Sequence, residues 1–203
     1  MKLILMLKRI QNRLLTNRIR ISFESFGKKI FDCSLSEYLE IHDNRHFICV
    51  VLEESGLIVH SSKPLPREII KEFHTSGFHA KAGYVLCRNI PNKPSSFNAD
   101  LLLISSELFR TTKENYAPII FHETCHWIIL AEIDCPLKTD VAGQALAKEL
   151  HSRIDPDDRH HDHNFCLLLA NASIKASHLG VFNGDPRSVI LSAMKYEQLL
   201  PEE

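Results

Sequence analysis

The string Phe121-His122-Glu123-Thr124-Cys125-His126-Trp127 holds the residues best suited to do chemistry in this chain. It contains His-Glu-x-x-His. On a helix, residues four apart lie on one face, about one turn from each other. Two imidazoles at that spacing can grip one Zn²⁺ at roughly 2.0–2.1 Å. At a spacing of two they would diverge. Glu123 then projects beside the metal, where it can take a proton from metal-bound water. The flanking residues are apolar, Ile119, Ile120 and Phe121 before and Trp127 to Leu130 after. Burying two His and a Glu among them is costly unless they have a purpose. Cys125 falls about 100° round the helix from His126 and is expected to pack rather than ligate. Trp127 is expected to anchor the helix in the core.

A catalytic zinc takes a third protein ligand and keeps an open fourth position. The chain has 12 His, six of them from His122 to His163. The best-placed third ligand is His161, which opens a His-Asp-x-x-Phe string that ends at Phe165. His160 and His163 are rivals, and so are the carboxylates Asp140, Glu149 and Asp155. Tyr116, Arg110, Arg159 and His163 are candidate donors to an oxyanion.

The elements that must position these groups follow from the apolar pattern. His46 to Leu52 and Leu57 to His60 read as two strands of a hairpin, joined by a turn at Glu53-Glu54-Ser55-Gly56. Arg67 to Phe73 reads as a short helix after Pro64 and Pro66. Tyr84 to Cys87 and Leu101 to Ile104 read as two more strands, separated by a loop containing Pro91 and Pro94. Thr111-Thr112-Lys113-Glu114 matches a capping box ahead of a long helix from Tyr116 to about Ile133, closed by Cys135-Pro136. Pro118 is tolerable only in its first turn. Further helices are expected from Asp140 to Arg153 and from Phe165 to His178, the latter closed by Gly180. Asp155-Pro156-Asp157-Asp158 reads as a polar turn. Strands first and helices after suggest an α+β domain. The expected sheet is small and mixed or antiparallel, followed by the helix that carries the site. Leu101 to Ser105 is expected as an edge strand able to hold an extended peptide by strand addition.

The strand Leu103-Ile104 running into Ser105-Ser106-Glu107-Leu108-Phe109, the string His122-Glu123-x-x-His126 and the later His161-Asp162-x-x-Phe165 together resemble the SprT-like zinc metallopeptidases. The resemblance covers about residues 100–180. It implies a zincin-like fold, Zn²⁺ as cofactor and a protein or peptide substrate. It also implies His122, His126 and His161 as ligands and Glu123 as general base. Asp140 to Leu150 is similar to a helix of ImmA/IrrE-type metallopeptidases, in which an acidic residue, here Asp140, would be the third ligand. A non-catalytic binding protein on the same scaffold, associated with nucleic acid, is the other alternative.

Composition bounds these readings. The chain has 203 residues, 44% hydrophobic and 24% charged, enough to bury a core without staples. Residues 1–28 form a basic segment expected to be helical, and 29–203 a single domain. Lys2, Lys8, Arg9, Arg13, Arg18 and Arg20 fall in that segment with no acidic residue before Glu24. Leu7, Ile10, Leu14 and Leu15 recur there at helical spacing. Such a helix either packs on the domain with its charges solvated, or contacts DNA, nucleoprotein or an anionic surface. The net charge of −1 excludes a globally basic nucleic-acid binder. No apolar run reaches the roughly 18 residues of a membrane span. The six Cys contain no CxxC pair, and Cys49 and Cys87 sit in strand-like runs. The apolar stretch after Lys2 is too short for a signal peptide, so a reduced, cytoplasmic protein is expected.

Overall fold

The computed structural model describes residues 2–196, apart from 43–44, 54–55, 77–81, 87, 89, 91, 111, 135–136, 138, 156–157, 159 and 183. In chain order its elements are α1 (Lys2–Phe31), α2 (Leu35–Ile41), β1 (His46–Leu52), β2 (Ile58–Ser61), α3 (Arg67–Ser76), β3 (Ala82–Val85) and β4 (Ala99–Ser105). A 3₁₀ turn at Ser106–Arg110 follows. Then come α4 (Lys113–Leu130), α5 (Val141–His151), α6 (His163–His178) and α7 (Pro186–Tyr196). The fold is α+β, with a four-stranded mixed sheet in the order β2-β1-β4-β3.

β1 and β4 are buried along almost their whole length, which explains the apolar runs Phe47–Leu52 and Leu101–Ile104 within them. They pair in parallel, His46 opposite Ala99 through to Leu52 opposite Ser105. Parallel strands buried on both faces lack the polar alternation of a half-exposed strand. One face, with Ile48, Val50, Leu52, Leu101 and Leu103, packs with Ile69 and Phe73 of α3. The other, with Phe47, Cys49, Leu102 and Ile104, meets the larger core of α1, α4, α6 and α7. The outer strands β2 and β3 pair antiparallel with β1 and β4. The expectation that Leu101 to Ser105 is an edge strand is therefore wrong: β4 is central, and the edges are β2 and β3. β3 is the edge that packs against α4.

Helix α4 forms from a long apolar sequence and is gripped on several sides. Trp127 is fully buried, with its ring 5.2 Å from Phe23 of α1 and 5.5 Å from Tyr38 of α2. Losing a buried ring of this size typically costs about 3–5 kcal/mol. Gly27 lets α1 approach it: a Cβ there would meet Cys33 O at 2.7 Å and Trp127 Cζ3 at 2.8 Å. Thr112 is the N-cap of α4 and makes no side-chain cap hydrogen bond, while Thr111, which opens the expected capping box, lies outside the described residues. Two other expectations about α4 fail. Pro118 lies in the second turn, inside the helix. The helix also ends earlier, at Leu130. Glu132 takes φ 56° there. Its N–H bonds Ile129 O, and Ile133 N–H bonds Ile128 O, the paired bonds of a helix end in the left-handed turn. Cys135 and Pro136, expected to end it, lie outside the described residues.

The basic helix runs to Phe31 without a break. From Leu15 onwards it enters the main core, through Leu15, Ile19, Phe23, Phe26 and Ile30. Lys175 Nζ of α6 donates to Ile30 O at 2.6 Å, a cation on the last carbonyls of α1. Among the described residues no helix is long and apolar enough to cross a membrane.

Candidate metal centre

His122 and His126 project from one face of α4, and α6 lies across that face. His161 stands two residues before α6. Asp162 is the N-cap of that helix, its Oδ1 accepting from Phe165 N at 2.8 Å. This cap starts the helix just after His161 and so fixes where the imidazole sits. Phe165 follows at the third helical position and is buried. Its ring stacks on His126 at 4.2 Å and packs at 4.9 Å on both His122 and His161. The His-Asp-x-x-Phe string thus supplies a candidate ligand, a helix cap and an aromatic floor under all three imidazoles.

The three Nε2 atoms converge. His122 and His161 stand 3.0 Å apart, and His126 is 3.1 Å from each. A ring nitrogen has one in-plane site, either an N–H or a lone pair. Three such atoms cannot satisfy one another pairwise around one point, but a shared cation can satisfy all of them. Donors at a tetrahedral metal with bonds of about 2.0–2.1 Å stand about 3.3 Å apart, close to the spacing here. Burial holds His122 and His126 well below the usual histidine range, and the neighbouring imidazoles push them the same way. Burial also lowers His161, against the pull of Asp158. Neutral imidazole is the form that ligates a metal. His122 is fully buried, His161 nearly so, and His126 is reached by solvent. Among the described residues these three form the group able to hold a metal ion.

Asp158 completes the arrangement, and sequence reasoning missed it. Its Oδ2 accepts from His161 Nδ1 at 2.7 Å. Burial alone would raise the Asp158 carboxyl. The hydrogen bonds from His161 and from His160 N–H outweigh that and hold it below the carboxylate range. An ionised carboxylate only accepts, so Nδ1 of His161 carries the proton and Nε2 presents its lone pair. A carboxylate behind a ligating imidazole orients the ring and raises its basicity. Asp158→Asn is therefore expected to weaken metal binding by about 10–100-fold. A competition titration against a chromogenic chelator checks this.

The rival ligands are placed elsewhere. Asp140 is exposed and caps α5, its Oδ1 accepting from Gly143 N at 2.6 Å. Glu149 pairs with Arg153 and Arg187 on the surface. His163 is exposed, its ring edge-on to His151 at 5.7 Å. His160 and Asp155 are exposed and outside the group. Cys125 is buried in the core and also outside the group. Glu123 is buried on α4 beside His122, 1% exposed. Of the candidate oxyanion donors, Tyr116 is buried on α4 about two turns before Glu123. Arg159 and the side chain of Arg110 lie outside the described residues.

A scan against protein-family models finds no match, and comparisons with curated proteins and with solved structures find none either.

Proposed function

We propose that this chain is a zinc-dependent metallopeptidase of the SprT-like kind, cytoplasmic and acting on protein or peptide substrates. The observation that carries the reading is the meeting of three Nε2 atoms at 3.0–3.1 Å, two of them from α4, the helix that also carries the buried Glu123. A small mixed sheet, then the helix with His-Glu-x-x-His, then further helices, supports a zincin-like scaffold.

His122, His126 and His161 would hold the zinc, which supplies a Lewis acid for the scissile carbonyl and a lowered pKa for the attacking water. Three protein ligands leave one position open to substrate. Glu123 accepts the proton of that water and delivers it to the leaving amine. Asp158 keeps the His161 tautomer fixed, and Phe165 keeps the three rings in place. An extended substrate adds as a strand to β3, the antiparallel edge against α4. The acidic-ligand alternative draws no support from Asp140, whose carboxylate serves the α5 cap.

The test is hydrolysis of an unfolded protein such as reduced casein. Cleavage by the zinc-loaded chain, lost on chelation and restored by one equivalent of zinc, is the expected result. A chain that binds one zinc and cleaves nothing would instead support a non-catalytic protein on this scaffold.

A further inference from the structure

The side of α1 turned away from the core carries an apolar stripe that the fold does not use. Met6, Leu7, Ile10, Leu14 and Ile21 are between 45 and 61% exposed. At 100° per residue they fall within a band about 100° wide. The core-facing residues Leu15, Ile19 and Phe23 lie on the opposite side of the helix. Arg9, Arg13 and Arg20 line one border of the band and Arg18 the other, all exposed. No acidic residue occurs before Glu24.

We propose that α1 is an interfacial helix that lays this stripe on an anionic lipid surface, its arginines pairing with the headgroups. The pattern of an apolar band bordered by long cations is what a bilayer interface takes up. Three other occupants fit less well. Duplex DNA would neutralise the cations but leave the stripe in water. A second copy seated on the same stripe would set Arg13, Arg18 and Arg20 against their own kind. An acidic helix would meet a narrow seam, whereas Met6 and Leu7 are both exposed and stand about 100° apart on α1, the full width of the band. The inference is independent of the metal centre.

The experiment is co-sedimentation of the full chain with phosphatidylcholine vesicles, with and without about a third phosphatidylserine. Binding to the anionic vesicles that exceeds binding to the neutral ones at least tenfold, and that weakens with salt, is expected. The triple variant Arg9→Gln, Arg13→Gln, Arg20→Gln should lose roughly 100-fold. The triple variant Leu7→Gln, Ile10→Gln, Leu14→Gln keeps every charge and a good helix former, and should lose at least tenfold. Both change exposed side chains, and unaltered circular dichroism checks that they fold. Wild type that ignores anionic vesicles would overturn the proposal, as would a stripe variant that binds them as well as wild type. Binding to duplex DNA without vesicle binding would assign the helix to nucleic acid instead. A stripe-dependent dimer without vesicle binding would assign it to a second copy.

Discussion

Glu123→Gln is expected to keep its zinc and lose hydrolysis by about 10²–10⁴-fold, the usual worth of a positioned acid–base group. The substitution removes the proton acceptor and changes the side-chain volume little. Glu123 is buried on α4 between the candidate ligand His122 and the core residue Thr124, so its surroundings have little freedom to rearrange. The neutral amide cannot take a proton from water, while His122, His126 and His161 keep their geometry. Metal content and turnover, measured on the same preparation, separate the two effects. If Glu123→Gln cleaves as fast as wild type, Glu123 is not the base. If it loses zinc as well, the residue acts in holding the site rather than in the reaction.

His161→Ala is expected to have the second largest effect. It removes one of three converging nitrogens and leaves Asp158 facing a void. The loss of zinc affinity should exceed the roughly 10–100-fold expected for Asp158→Asn, because a ligand is removed rather than its support. Asp140→Ala is the matched contrast. It takes away the α5 cap, worth about 1 kcal/mol of stability, and should leave zinc affinity unchanged. The acidic-ligand reading requires the reverse outcome, with zinc lost in Asp140→Ala and kept in His161→Ala. Zinc titrations of the two variants beside wild type decide between them.

What could be read in the sequence was what depends on local geometry. The spacing of His122 and His126 puts both on one helix face whatever surrounds them, and Glu123 comes with them. The choice of His161 over His160 and His163 rests on Asp162, because the cap sets where α6 begins and so which ring turns inward. Asp158 could not be chosen from Asp155-Pro156-Asp157-Asp158, since the loop path decides which carboxylate meets Nδ1. An acidic residue three positions before a candidate ligand histidine is the only signal. Strand order was also out of reach. β4 became central because it pairs with β1, about fifty residues earlier, and local alternation carries no such information.

Two helices were missed although their start signals are present. Ser34 caps α2 by accepting from Glu37 N, with Glu three positions after Ser. Asp185 accepts from Arg187 N and Ser188 N where α7 starts at Pro186. Both helices are short, and their apolar residues matter only once distant partners are there to pack against, Trp127 of α4 for α2, and α4 and α6 for α7.

X-ray absorption at the zinc edge of the loaded chain tests the central claim most directly. Three imidazole nitrogens and one further light atom at about 2.0–2.1 Å, at one zinc per chain, are predicted. A sulfur shell near 2.3 Å, fewer than three imidazoles, or a chain that takes up no zinc after reconstitution would contradict the account.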